Sequence, residues 1–381
     1  MKLAIDASRN RSGGAIVHII NILKYFDPKD FAIKQIHIWA YQFLLDQIPD
    51  YPWLVKHTHK AFESSLLKQL YWQYFILPKK IKEFNCSLLF SLDAGSVCRS
   101  TPYITMCRDM LSFDKKEFRR YFPSRAWLRL YILRYVQLHS FKKALATIFL
   151  TECAKSKIAE YQNIAYQHAV INHGISNEFR INKNNKGNLL AESEITLTYV
   201  SNADLYKHNW NVIAAVWRLR CKYNLNLQLR LVGAREGYPA AIKKIDKSLL
   251  KFDKNSSFVL TTPKISHKQM MEYFHNTDLL IFASTCENMP NTLIEGMSTG
   301  IPIVCSNYGP MPEIIKDGTV YIDPEDIASI EKALYKMISN DELRLRCAKR
   351  SYDLSLSFSW QKCSTETFTF ISNKLINGGK Q

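Results

Sequence analysis

The 381-residue sequence predicts an α/β protein made of two doubly wound parallel-sheet domains that face each other across a cleft. Three observations carry this expectation. Short apolar runs alternate with helical ones, the pattern of parallel sheets connected by crossover helices. A polar, Asn-rich segment around 182–194 interrupts that rhythm, which then restarts. The length suffices for two cores of ordinary size, and 47% hydrophobic with 22% charged residues mark a globular chain.

In the first half, strands are expected at Lys2–Ala7, Ile33–Trp39, Leu88–Leu92, Tyr103–Cys107, Ala146–Leu150 and His168–Ile171. Each is a short apolar run bounded by polar or turn residues, as buried parallel strands are. After the polar segment come Ile195–Val200, Leu227–Val232, Ser257–Leu260, Leu279–Phe282, Ile303–Cys305 and Thr319–Ile322. Helical periodicity lies between them at Val212–Lys222, Lys268–Phe274 and Ile327–Ile338, and beyond Asp341 three strand-free segments read as helical. Ligands of doubly wound sheets bind outside the carboxyl ends of the strands. Polar residues just after strands are therefore the candidates for function.

Composition excludes several classes. No uncharged apolar run is long enough to span a bilayer, and Asp6 interrupts the short apolar stretch at the N-terminus, so a cytoplasmic location is expected. Nine cysteines are scattered without a CxxC pair, which reads as reduced thiols and no metal centre. His57 and His59 flank Thr58 with no third ligand in the pattern.

Charge is more informative. Residues 1–180 hold 26 Lys and Arg against 14 Asp and Glu, whereas residues 181–381 hold 25 against 20. The excess concentrates at 115–143, where Lys115, Lys116, Arg119, Arg120, Arg125, Arg129, Arg134, Lys142 and Lys143 alternate with aromatic and aliphatic residues. A helix over Ser124–Phe141 would present an apolar face edged with cations. That face fits an anionic membrane surface, and it fits equally an ordinary core with a solvated rim. No nucleic-acid motif accompanies the basic charge, so nucleic acid is not an expected partner.

The segment TCENMPNTLIEGMSTGIPIV is the most informative in the chain. An apolar run, Leu279–Phe282, leads through small residues to Glu287, a Pro-Asn break and an amphipathic helix that carries Glu295 about one turn in. A strand feeding a helix this way points backbone N–H groups of the helix start, here of Asn291 and Thr292, to where a phosphate docks. Pro290 has no N–H to lose at such a position. Two carboxylates bordering an anion pocket suit a ligand that combines a diphosphate with hydroxyl-rich groups, which is a nucleotide-sugar. The other candidates also follow strands: Gly13 and Gly14, Arg108 and Asp109, Lys207, and Arg235. Paired glycines admit close approach of a phosphate or sugar, or serve as a plain strand-to-helix turn. Arg108 and Asp109 contact substrate or form an internal salt bridge.

This stretch resembles the E-x7-E region of retaining glycosyltransferases of the GT-B fold, built from two Rossmann-like domains. The resemblance extends through MKLAIDASRNRSGGAIVHI, VINHGISNEF, the lysine of YVSNADLYKH, GIPIVCSNYGPMPEII and the FSW before the last helix. It implies an acceptor-binding domain at 1–185, a nucleotide-sugar-binding domain at 186–360 and a terminal helix at 361–381 that crosses back to the first. It implies that Glu295 binds the nucleotide ribose, that Glu287 lies by the donor sugar with Asn288 and Met289, and that Lys207 neutralises the departing diphosphate. Many relatives carry an arginine six residues before this lysine, where this chain has Ser201, so Arg235 is the expected substitute. Many show His-Asp where this chain has Arg108-Asp109, and RDMLSFDKKEFRRY is similar to a subgroup acting on bacterial surface polysaccharides. The implied activity is metal-independent, cofactor-free transfer of a sugar from a GDP- or UDP-sugar to a lipid-linked glycan at the inner face of the membrane. No Asp-x-Asp triad of the metal-dependent class occurs. A nucleotide-sugar epimerase and a non-catalytic assembly partner at the membrane are the alternatives.

Overall fold

The computed structural model describes residues 1–11, 13–98, 100, 102–162, 167–181 and 185–378. The chain divides into two compact units, Met1–Gly174 with Ser359–Gln381, and Ile175–Phe358. Residues 182–184 of the polar segment lie outside the described residues. The rest of that segment is tied to the second unit: the buried Arg344 donates to the carbonyls of Lys186 (3.0 Å) and Gly187 (2.6 Å), and Asn185 donates to the Gly300 carbonyl at 2.8 Å.

The first unit holds a parallel sheet of seven strands in the order β3-β2-β1-β4-β5-β6-β7. These are β1 Lys2–Asp6, β2 Gln35–Trp39, β3 Leu54–His57, β4 Leu88–Ser91, β5 Tyr103–Met106, β6 Ala146–Phe149 and β7 His168–Val170. Six match the sequence reading to within two residues. The exception is β3, whose residues are all half-buried at the sheet edge and lack the continuous apolar run of its neighbours. The second unit holds a parallel sheet of six strands in the order β10-β9-β8-β11-β12-β13. They span β8 Ile195–Val200, β9 Leu227–Val232, β10 Val259–Thr262, β11 Leu279–Phe282, β12 Ile303–Ser306 and β13 Val320–Ile322.

Both sheets reverse direction of strand addition, the first between β1 and β4 and the second between β8 and β11. At such a reversal the connecting helices leave to opposite faces, opening a crevice at the carboxyl ends. Beyond Asp341 there are two helices among the described residues, Asp341–Ser355 and Trp360–Gly378, where three were expected. The last belongs to the first unit: Ser364 donates to the Ile22 carbonyl at 2.7 Å, and Phe368 lies 4.5 Å from Phe26.

Candidate active site

In the second unit the loops after β8 and β11 meet at the strand-order reversal. After β8 the chain makes a 3-10 turn, Leu205–Lys207, opened by Asp204, whose side chain accepts from the Leu205 N–H at 2.8 Å. The Tyr199 hydroxyl donates to the Lys207 carbonyl at 2.8 Å and holds the turn down on the sheet. His208 follows in the left-handed region at φ 49° and starts the helix Asn209–Tyr223. Its imidazole Nε2 is 3.0 Å from Thr285 Oγ1, and the Thr285 N–H donates to the Tyr206 carbonyl at 2.9 Å. Two loops distant in sequence are thereby fastened together.

The consequence is an ion pair between Lys207 Nζ and the Glu287 carboxylate, both largely buried. The ammonium also lies 5.2 Å from the centre of the Tyr206 ring and 5.8 Å from that of Phe282. Water is thinned around this pair, which strengthens the electrostatics of whatever anion enters.

From Glu287 the chain passes through the buried Asn288 and Met289 into the helix Asn291–Ser298. The first intrahelical bonds run from the Leu293 and Ile294 N–H groups to the Pro290 carbonyl, at 3.0 and 3.2 Å. The Asn291 and Thr292 amides therefore precede the hydrogen-bonded turns. Gly296 sets the height of this helix, since a Cβ there would stand 2.3 Å from Leu280 Cδ2 on β11. One residue earlier is Glu295, and burial pushes its carboxyl up to about 8. Glu287 also acts on its neighbours: after burial, its negative charge is the next cause raising the Tyr199 phenol and the Cys305 thiol.

Arg235 follows β9 but turns elsewhere. Its guanidinium pairs with Asp246 and its Nε donates to Thr261 Oγ1 at 3.3 Å. Ser201, the position Arg235 was expected to compensate, is buried and donates to Asn209 Oδ1 at 3.0 Å. Among the described residues, then, Lys207, Glu287 and the helix start are brought together, and no bond of Arg235 reaches them.

In the first unit Gly13 takes φ 65° with open space where a Cβ would stand, and Gly14 opens the helix Gly14–Lys24. Arg108 and Asp109 follow β5. Asp109 Oδ1 accepts from the Leu111 N–H at 2.9 Å, an Asx turn that shapes its own loop. Burial lowers the Arg108 guanidinium to about 10, partly offset by Asp93. Sequence reasoning missed one residue beside it, His18. The fully buried His18 stacks on His173 with ring centres 4.8 Å apart, 6.0 Å from Trp360, and within the field of Arg108. A polar residue on the inward face of AIVHII was the available sign.

The other histidine candidates settle locally. His57 Nε2 lies 3.0 Å from His37 Nδ1, and His59 accepts from the Ala61 N–H at 3.1 Å. Among the described residues no group of three His, Cys, Asp or Glu side chains is placed to hold a metal ion.

With this geometry in place, residues 180–354 match the family model described as glycosyl transferases group 1. The chain is 31% identical over 87 residues to O-antigen chain mannosyltransferase B of Escherichia coli, a match covering 23% of each protein. It thus spans about a quarter of that relative's length. Among solved structures, sucrose-phosphate synthase from Thermosynechococcus elongatus superposes with a TM-score of 0.76 at 14% identity, covering 99% of this chain and 100% of that one. Anabaena Alr3699/HepE in complex with UDP-glucose gives 0.73 at 17% identity, covering 98% and 100%. These likenesses establish a GT-B type fold of two Rossmann-like units.

Proposed function

We propose that the protein is a retaining, metal-independent glycosyltransferase that moves a sugar from a nucleotide-sugar to a lipid-linked glycan acceptor. The observation that carries this reading is the Lys207–Glu287 pair at the reversal between β8 and β11, with the start of helix Asn291–Ser298 beside it. A diphosphate entering here takes over Lys207 and the Asn291 and Thr292 amides, which releases the Glu287 carboxylate to accept from hydroxyls of the donor sugar. Glu295 receives the ribose hydroxyls. As the bond from the sugar's anomeric carbon to the diphosphate oxygen breaks, both bonding electrons leave with that oxygen. Lys207 stabilises the charge, a contribution typically on the order of 3 kcal/mol. The same oxygen then takes the proton of the acceptor hydroxyl as the new bond forms on the face just vacated.

The family model over 180–354 and the UDP-glucose bound to the Anabaena protein support the donor class. Similarity to an O-antigen mannosyltransferase supports mannose and a surface-polysaccharide precursor. In this reading Gly13, Gly14, Arg108 and Asp109 of the first unit serve the donor or acceptor. Titration calorimetry with UDP- and GDP-sugars tests the proposal. Binding of one donor that is weakened in Glu295→Ala supports it, and absence of binding to every nucleotide-sugar overturns it.

A further inference from the structure

The helix Arg125–Lys143 carries apolar residues on its outer side as well as its inner one. Its line toward the protein mixes apolar and polar residues, with Leu130 and Phe141 buried beside Gln137 and Ser140. Gln137 is buried and accepts from Ser112 Oγ at 3.0 Å, Ser140 is buried with its carbonyl accepting from Tyr103 at 2.8 Å, and the Arg134 guanidinium lies 4.2 Å from the centre of the Phe118 ring. Its outward line is apolar: Leu128 is 53% exposed, Tyr131 55%, Ile132 55% and Tyr135 73%. These four recur at intervals of three and four residues, so they form one continuous stripe over two turns. Phe122, 64% exposed, extends it through an edge contact with Trp127, which stacks on Tyr131 at 5.8 Å. The outward side of a solvated helix is ordinarily polar. The sequence alone left open whether the apolar residues of this helix were core, and the structure buries Leu130 and Phe141 but leaves Leu128, Tyr131, Ile132 and Tyr135 outside.

We propose that this outward stripe is a docking face for an anionic lipid surface. The charge around it selects that occupant. The segment 115–143 holds nine Lys and Arg and a single acid, Glu117. That acid is buried and paired with Arg120. The flanking Arg125, Arg129, Lys142 and Lys143 are all exposed. A second copy of the chain would bring this cationic rim against itself, with a net charge of +17 on each molecule. A bilayer carrying acidic headgroups accepts both features. Tyr and Trp settle at the headgroup level, aliphatic side chains reach the acyl boundary, and arginines meet phosphates. Each basic residue near such a surface raises binding about fivefold. This deepens the reading above, because a lipid-linked acceptor would be presented at the same surface.

The test uses the full chain, no nucleotide, and flotation with vesicles of phosphatidylcholine alone or mixed with phosphatidylglycerol. Expected is recovery with the mixed vesicles that falls as salt is raised. Tyr131→Ser/Tyr135→Ser and, separately, Arg125→Glu/Arg129→Glu should each lower recovery at least tenfold while the thermal midpoint stays within a degree or two. Equal recovery of wild type and both variants overturns the proposal, as does absence of flotation with the mixed vesicles. A wild-type dimer that Tyr131→Ser/Tyr135→Ser converts to monomer also overturns it, by assigning the stripe to a second copy. Donor binding by calorimetry should be unchanged in both variants, so failure at the vesicle and failure at the nucleotide site are read separately.

Discussion

Replacing Glu295 with glutamine isolates one half-buried carboxyl, whose effect on stability has a definite sign. Burial pushes this group from 4.5 up to about 8. The unfolded chain loses the proton near the ordinary value, while the native protein keeps it to about pH 8. Across that window the native state therefore holds one more proton than the unfolded state, and its stability falls as pH rises. At about 1.4 kcal/mol per pH unit the ceiling is roughly 5 kcal/mol, and water entering around the ionising group reduces it to about 1–2 kcal/mol. Glutamine has nearly the same shape and never ionises.

The assay is urea unfolding of ligand-free wild type and Glu295→Gln at pH 5 and pH 8.5. The variant should gain about 1–2 kcal/mol on the wild type between the two pH values. Parallel curves would refute the argument. A second readout follows from the proposed role. Ribose hydroxyls donating to the carboxylate favour its charged form, so donor binding near pH 7 should release a proton from wild type but not from Glu295→Gln. Binding enthalpies in buffers of different ionisation heat measure this directly.

Lys207→Ala strands Glu287 in a largely buried position, and is expected to destabilise the second unit by about 3 kcal/mol and to cut turnover by about two orders of magnitude. Lys207→Ala/Glu287→Ala should cost less stability than the lysine change alone; a larger loss in the double variant, by chemical denaturation, would show that the pair is not what holds the loops. His18 behaves oppositely to Glu295. Desolvation, then His173, then Arg108 hold its pKa well below 6.5, so its native form is neutral and stability is lost as pH falls below that value. His18→Leu should flatten the acid side of the melting-temperature profile between about pH 6.5 and pH 5, and an unchanged slope there would remove the histidine from the account.

The parts legible in the sequence and the parts that were not differ in physical kind. Strands such as Ile195–Val200 and Leu279–Phe282 were read residue for residue because a central parallel strand is buried on both faces and carries an unbroken run of apolar and β-branched residues. The edge strand Leu54–His57 pays no such constraint, and its Lys56 and His57 concealed it. Single residues after central strands were likewise legible, since the reversal of strand order fixes where a ligand crevice opens. Partnerships were not. That Lys207 turns to Glu287, eighty positions away, follows from the Thr285–Tyr206 and His208–Thr285 bonds, and that Arg235 turns to Asp246 follows from the helix Pro239–Phe252 passing beside it. The helix Arg125–Lys143 marks the boundary between the two kinds of knowledge. Its periodicity announces apolar residues without saying which of them protein covers, and only the burial of Leu130 and Phe141 against the exposure of Leu128, Tyr131, Ile132 and Tyr135 decides that.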